Sequence, residues 1–188
     1  MKTLYIISGA NGSGKTTFAR EFSKINELYF INADEIAKEL DSKNITKYKI
    51  KPGKMFFNEF SKRLKLDKSF VIETTLSGKY LVGYIEKAKE LNYQLSLIYL
   101  FLENPQTNIN RVKNRVLNGG HHIPKDDIIR RFYRSKNMFW NAYKDLVDDW
   151  SIFYNSDETF EEVANNETIL DTAKYNEFLK DIDAITNN

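Results

Sequence analysis

The run Gly9-Ala10-Asn11-Gly12-Ser13-Gly14-Lys15-Thr16 constrains this chain more than any other feature. It matches Gly-x-x-x-x-Gly-Lys-[Ser/Thr] in full, and each fixed position has a physical reason. Glycines accept backbone angles that other residues resist, and they let amide N–H groups close on phosphate oxygens. A helix starting here points its positive end at the anion. Lys15 can reach β- and γ-phosphates, and the Thr16 hydroxyl can ligate Mg²⁺. The run lies between an apolar segment, Leu4 to Ser8, and a helical pattern through Thr17, Phe18, Phe22 and Ile25. That is the strand–loop–helix context the motif needs. Gly9 to Thr17 are therefore expected to hold ATP.

A phosphate loop implies a parallel sheet, and the rest of the chain alternates accordingly. Strands are expected at Leu28 to Ile31, Phe70 to Ile72, Leu95 to Leu102 and Ile152 to Tyr154. Leu95 to Leu102 is the most apolar run and should be buried on both faces. Helices are expected through Ile36, Ala37 and Leu40, and from Pro52 through Phe56, Phe57, Phe60 and Leu64. A further helix runs through Leu81, Ile85, Ala88 and Leu91, with Ser77 as its expected N-cap. Pro105 opens a helix that Gly119-Gly120 ends, and a long one follows through Ile128, Phe132, Met138, Phe139 and Tyr143. Past Glu158 the pattern weakens to one helix through Tyr175, Phe178, Leu179 and Ile182. The fold class is thus α/β, a P-loop NTPase fold with a mostly parallel five-stranded sheet flanked by helices. One domain spanning 1–188 is expected, with a helical lid at about 105–135 and a weakly patterned tail at about 158–188.

Composition narrows the chemistry. The chain has no cysteine, which removes disulfides, thiolate nucleophiles and Cys-type zinc sites. Its only histidines, His121 and His122, are adjacent, so a His-based metal cage is not expected. A formal net charge of +2 gives no bulk attraction for nucleic acid or membrane. No apolar run approaches the ~18 residues needed to span a bilayer. The N-terminus is too soon interrupted by Gly9 to read as a signal peptide, so a cytoplasmic location is expected.

In parallel sheets ligands bind beyond the carboxyl ends of the strands. The second strand runs into Asn32-Ala33-Asp34-Glu35, where Asp34 can act as the base for an attacking hydroxyl. Asp34 can also cap the next helix. The third strand runs into Glu73-Thr74-Thr75, where an acid can hold a Mg²⁺-bound water or a substrate hydroxyl. After the fourth come Arg111 and Arg115, one turn apart on a helix face, then Arg130, Arg131 and Arg134. Guanidinium groups stabilise the charge that spreads over a transferring phosphoryl. His121 and His122 read as a loop contact. The aromatic residues from Phe132 to Tyr143 read as core.

These residues resemble the zeta-toxin-like kinases, P-loop proteins that include toxins of toxin–antitoxin systems. The marks are Ile7 to Thr17, Phe30-Ile31-Asn32-Ala33-Asp34-Glu35-Ile36-Ala37, and Ile72-Glu73-Thr74-Thr75-Leu76-Ser77-Gly78. Arg115-Val116, Gly119-Gly120-His121, Ile123-Pro124, Arg130-Arg131-Phe132 and Arg134-Ser135 complete them. The resemblance runs from Leu4 to about Ser156. It implies ATP- and Mg²⁺-dependent phosphorylation of a small molecule, which in the toxins is the nucleotide sugar UDP-N-acetylglucosamine, and a protein antitoxin as partner. Carried over, Lys15, Asp34, Arg115 and Arg131 are catalytic, with Arg111 on the nucleotide. Asn32, Asp34, Glu73 and Thr74 face the acceptor, while Thr16 and Glu73 hold the metal. The chain is compact like the short bacterial branch, and its lysine-rich segment Asp41 to Lys51 carries little family pattern. Two alternatives stay open: a polynucleotide or nucleoside kinase using Lys43 to Lys54 as a strand-binding patch, and an ATP-dependent switch with no acceptor.

Overall fold

A computed structural model describes residues 1–33, 35–36, 52–120, 122–156 and 159–182. Asp34, Ala37 to Lys51 and His121 lie outside the described residues, and with them the expected base, most of the second helix and the lysine-rich segment.

A six-stranded sheet organises the molecule. Its strands are β1 (Thr3–Ser8), β2 (Tyr29–Ile31), β3 (Phe70–Thr74), β4 (Gln94–Phe101), β5 (Asp149–Asn155) and β6 (Phe160–Asn165), in spatial order β2-β3-β1-β4-β5-β6. The first five are parallel, and β6 runs antiparallel to β5. β1 pairs with β3 on one side (Ser8 opposite Thr74) and with β4 on the other (Ser8 opposite Tyr99). The strand order therefore reverses at β1, and its carboxyl end, where the phosphate loop begins, opens on the crevice expected to hold ligands.

Helices α1 (Lys15–Ile25), α2 (Pro52–Lys65), α3 (Val82–Glu90), α4 (Pro105–Leu117), α5 (Lys125–Met138) and α6 (Thr172–Lys180) connect the strands and follow them. Each buries an apolar stripe. Phe56, Phe60 and Leu64 of α2 join Ile85 of α3 and Phe70, Ile72, Leu95, Leu97 and Tyr99 of the sheet in the main core. Ile7, Val71, Ile98 and Leu100 pack on the opposite face against Ala19 and Phe22 of α1. β4 is buried from Leu95 to Phe101, as its apolar run predicts. The α4–α5 pair has a small core of its own, Ile109, Val112 and Ile128.

Four expectations are corrected. The sheet has six strands rather than five. β6 carries Glu161 and Glu162 and buries only Val163 and Ala164, and a register shift at Ile152/Phe153 breaks its alternation. Glu73 and Thr74 belong to β3 itself rather than to the loop after it. Ser77 does not cap a helix; its hydroxyl pairs with that of Thr75, and a 3₁₀ turn (Lys79–Leu81) leads into α3 without a side-chain cap. The long helix through Tyr143 stops at Met138, and a π-helical turn (Phe139–Tyr143) takes its place, with Phe139 and Tyr143 fully buried.

Candidate active site

At the end of β1 the chain turns through Gly9 to Gly14 and enters α1. Gly14 is the N-cap of α1, in a left-handed conformation at φ 91°. A Cβ there would overlap the Asn155 amide, so position 14 requires glycine both for its angle and for its neighbour. Among the described residues no side chain caps α1, and its first turn carries no acidic residue. This helix start is thus shaped for an anion outside the chain, which is the fit a triphosphate requires. The Lys15 ammonium donates to the Ala10 carbonyl at 2.7 Å, so it bridges the loop it belongs to and is nearly buried. The buried Ser13 hydroxyl has no partner among the described residues.

Two oxygens able to ligate a divalent cation meet beside the loop. The Thr16 hydroxyl donates to Glu73 Oε1 at 3.0 Å, and the Asn32 amide donates to Glu73 Oε2. Asn32 in turn accepts the Glu35 N–H at 3.1 Å and so caps the turn that follows β2. A hydroxyl and a carboxylate are hard oxygen donors, and Mg²⁺ takes few protein ligands while keeping its waters. Thr16 and Glu73 therefore fit that ion. Among the described residues no group of three or more His, Asp or Glu side chains is arranged to hold a metal.

The lid arginines divide into two groups. Arg111, Arg115 and Arg131 line the same cleft as Asn11, Gly12, Gly14, Lys15, Thr16 and Thr17, a cleft of about 1200 Å³. Arg111 donates to the Asn155 carbonyl at 3.1 Å, and Arg131 to the Asn11 side-chain oxygen at 3.1 Å. Arg130 is exposed and pairs with Asp127 at 2.8 Å, and Arg134 is exposed. α4 is held at the mouth by Asn104, which accepts the Thr107 N–H at 3.0 Å, with Pro105 in the first turn. Burial favours a neutral Glu103 carboxyl, but hydrogen bonds from Thr107 and Tyr154 and the nearby Arg111 outweigh it and lower its pKa.

Sequence reasoning finds Glu73, Thr74, Asn32 and the three arginines, and the structure brings them to one cleft. It misses Asn155, whose side chain donates to the Ser13 carbonyl at 2.9 Å and braces the phosphate loop from β5. The rule that points to the ends of β2 and β3 points equally to the end of β5. It also misses Phe56, Phe57 and Tyr80, which line the far end of the cleft. There Tyr80 and Thr74 share a hydroxyl–hydroxyl bond of 2.5 Å, and Phe57 meets Tyr80 edge to face at 6.0 Å. His122 lines the cleft as well.

A phosphate loop at the switch point of a parallel sheet, faced by arginines from a helical pair, defines a P-loop kinase. The chain belongs to the zeta toxin family, whose model matches residues 1–168, and with that family it is an ATP-dependent phosphotransferase. It is 32% identical over 124 residues to an uncharacterized protein of Haemophilus influenzae, covering 66% of this chain and 88% of the relative. Among solved structures it resembles a chain of the AvrRxo1-ORF1:ORF2 complex with ATP (TM-score 0.73, 17% identity, 95% of this chain). This chain spans only 63% of that one's length. It also resembles the PezAT chromosomal toxin–antitoxin system of Streptococcus pneumoniae (TM-score 0.63, 16% identity, 100% of this chain and 88% of that one). Among the described residues no helix is long and apolar enough to cross a membrane.

Proposed function

We propose that this protein transfers the γ-phosphate of ATP to a hydroxyl of a small acceptor, a nucleotide sugar of the UDP-N-acetylglucosamine class. The observation that carries the reading is convergence. The phosphate loop, Glu73 of the neighbouring strand and Arg111, Arg115 and Arg131 of the lid all line one cleft. Lys15 and the backbone amides of Gly12 to Thr16 hold the triphosphate, with Arg111 on the nucleotide. Thr16 and Glu73 hold Mg²⁺, which, when bound, neutralises β- and γ-phosphate oxygens. Arg115 and Arg131 stabilise charge on the transferring group. Asp34 follows Asn32 and Ala33, both of which line the cleft, and takes the proton of the acceptor hydroxyl. Asn32, Thr74 and Glu73 orient that acceptor. Phe56, Phe57 and Tyr80 give the acceptor end flat apolar faces, suited to a sugar or base ring. A protein antitoxin is the proposed partner and the cytoplasm the proposed location.

The deciding experiment incubates purified protein with labelled ATP, Mg²⁺ and either UDP-N-acetylglucosamine or a cell metabolite extract, and identifies the labelled product by mass. A phosphorylated nucleotide sugar is expected, with Asp34→Asn lowering the rate on the order of 10²- to 10⁴-fold. Label found on a nucleoside or an oligonucleotide end would replace the acceptor class. Wild-type rates for Asp34→Asn would remove Asp34 as the base.

A further inference from the structure

The phosphate loop is tied to the lid from two sides, and Asn11 takes part in both ties. Asn11 accepts the Arg131 guanidinium on its side-chain oxygen at 3.1 Å, across 120 residues of sequence. Its own backbone is held from the other side, where the Asn108 amide donates to the Asn11 carbonyl at 2.7 Å. Gly12 then passes directly over α4: a Cβ at this position, where φ is +83°, would come within 2.6 Å of the Asn108 carbonyl oxygen. Asn108 is fully buried, and α4 packs on α5 through Ile109, Val112 and Ile128. Loop, α4 and α5 thus form a closed triangle in which Asn11–Arg131 links the loop to α5.

We infer that Asn11 is a positioning residue, which clamps α5 to the phosphate loop and aims Arg131 at the phosphates. The motif leaves this position open, so nothing in phosphate binding itself demands asparagine. The chemistry of the side chain suits the task. An amide oxygen orients a guanidinium by one charge-assisted hydrogen bond and leaves its charge intact, whereas a carboxylate would cancel the charge the phosphates need. Arg131 is half-buried and its neighbour Arg130 is already paired with Asp127, so the two consecutive arginines have different tasks. The role of Arg131 on phosphate rests on the function proposed above; the clamp does not.

The test is a double-mutant cycle with Asn11→Ala and Arg131→Ala, read in two ways. One is amide hydrogen exchange of residues 125–131 in nucleotide-free protein, and the other is affinity for ATP·Mg²⁺ by calorimetry. Each single variant is expected to speed exchange on α5 by a similar factor, with no further gain in the double variant. Asn11→Ala is also expected to weaken ATP about fivefold. Asn11→Asp, which keeps an acceptor but adds a negative charge, is expected to restore slow exchange and weaken ATP further than Asn11→Ala does. Single-variant effects that multiply in the double variant, or unchanged exchange in Asn11→Ala, overturn the clamp. If the exchange data show full coupling while Arg131→Ala leaves both ATP affinity and phosphate transfer untouched, the clamp stands and the phosphate role of Arg131 falls.

Discussion

Thr16 of α1 and Glu73 of β3 are joined by a hydrogen bond of 3.0 Å across 57 residues of sequence. The two oxygens proposed for Mg²⁺ are therefore already neighbours, and Asn32 orients the second oxygen of the carboxylate. Glu73→Gln would remove the negative charge and leave a single oxygen to accept from Thr16 and Asn32, where the carboxylate offers two. Apparent Mg²⁺ affinity should fall on the order of 10-fold to 100-fold or more, since even a group one step removed from a metal is worth that much. Titration of the transfer rate with Mg²⁺ at saturating ATP checks this, and an unchanged half-saturation point would exclude Glu73 from the metal site.

Lys15 is nearly buried and bridges the loop through the Ala10 carbonyl. Lys15→Ala should lower kcat on the order of 10²- to 10³-fold if, as proposed, the ammonium turns from Ala10 to the transferring phosphoryl. Its thermal transition should move far less than its activity. Equal transfer rates in wild type and variant would mean that the ammonium has only a structural task in the loop.

Tyr143 ties the π-helical turn to the acceptor side of the cleft. Its hydroxyl donates to the Gly78 carbonyl at 2.6 Å and accepts the Leu81 N–H at 3.4 Å. Tyr143→Phe leaves that part-buried carbonyl short of a donor, a loss of about 1 kcal/mol and a fall in Tm of roughly 2 to 4 °C. Burial pushes the Tyr143 hydroxyl up to about 12, above its ordinary value of 10.0. The folded state thus keeps a proton that the unfolded chain gives up. Its stabilising contribution is complete below pH 10 and declines as pH rises from there through about 12. In urea melts over that range, Tyr143→Phe should lose less stability than wild type, and parallel losses would refute the assignment.

Lys136 of α5 is 1% exposed and lies 2.5 Å from Asp181, just past α6. Its ammonium stands 4.4 Å from the Phe132 ring and within 5.4 Å of those of Phe101 and Phe178. Burial lowers its pKa although Asp181 opposes the shift. Asp181→Ala strands a buried cation and should cost about 3–5 kcal/mol, whereas replacing both partners together, Lys136→Met with Asp181→Leu, should be close to neutral. Chemical denaturation distinguishes the two, and equal losses would contradict the cage argument.

Sequence pattern is informative here where burial is two-sided and chemistry is local. Leu95 to Phe101 announces a central strand because every position is apolar, and Gly9 to Thr16 announces its ligand because the motif is contiguous. β6 stays hidden because a strand at the sheet's edge needs little apolar surface: Glu161 and Glu162 lie beside Val163 and Ala164. Asn155, Tyr80 and the contact of Asn11 with Arg131 stay hidden for another reason. Their partners, Ser13, Thr74 and Arg131, are set by topology or by a turn, and an isolated asparagine or tyrosine carries no spacing signal. The residue pattern marks the arginines as a group and the family resemblance picks out Arg111, Arg115 and Arg131; the packing of α4 on α5 supplies the physical difference, with Arg131 reaching the loop and Arg130 facing Asp127.

The position of β1 between β3 and β4 sets a timetable for synthesis. Ser8, at the mouth of the phosphate loop, gains its two strand partners only when residues 74 and 99 are available, and the loop gains its brace only with Asn155. Local contacts cannot substitute for these distant ones, so the nucleotide site matures late on a growing chain. A ribosome-bound chain exposed as far as residue 140 should fail to retain ATP, while one exposed past β6 should retain it. The segment with the most recognisable motif, made before all of these partners, would then be among the last to become competent.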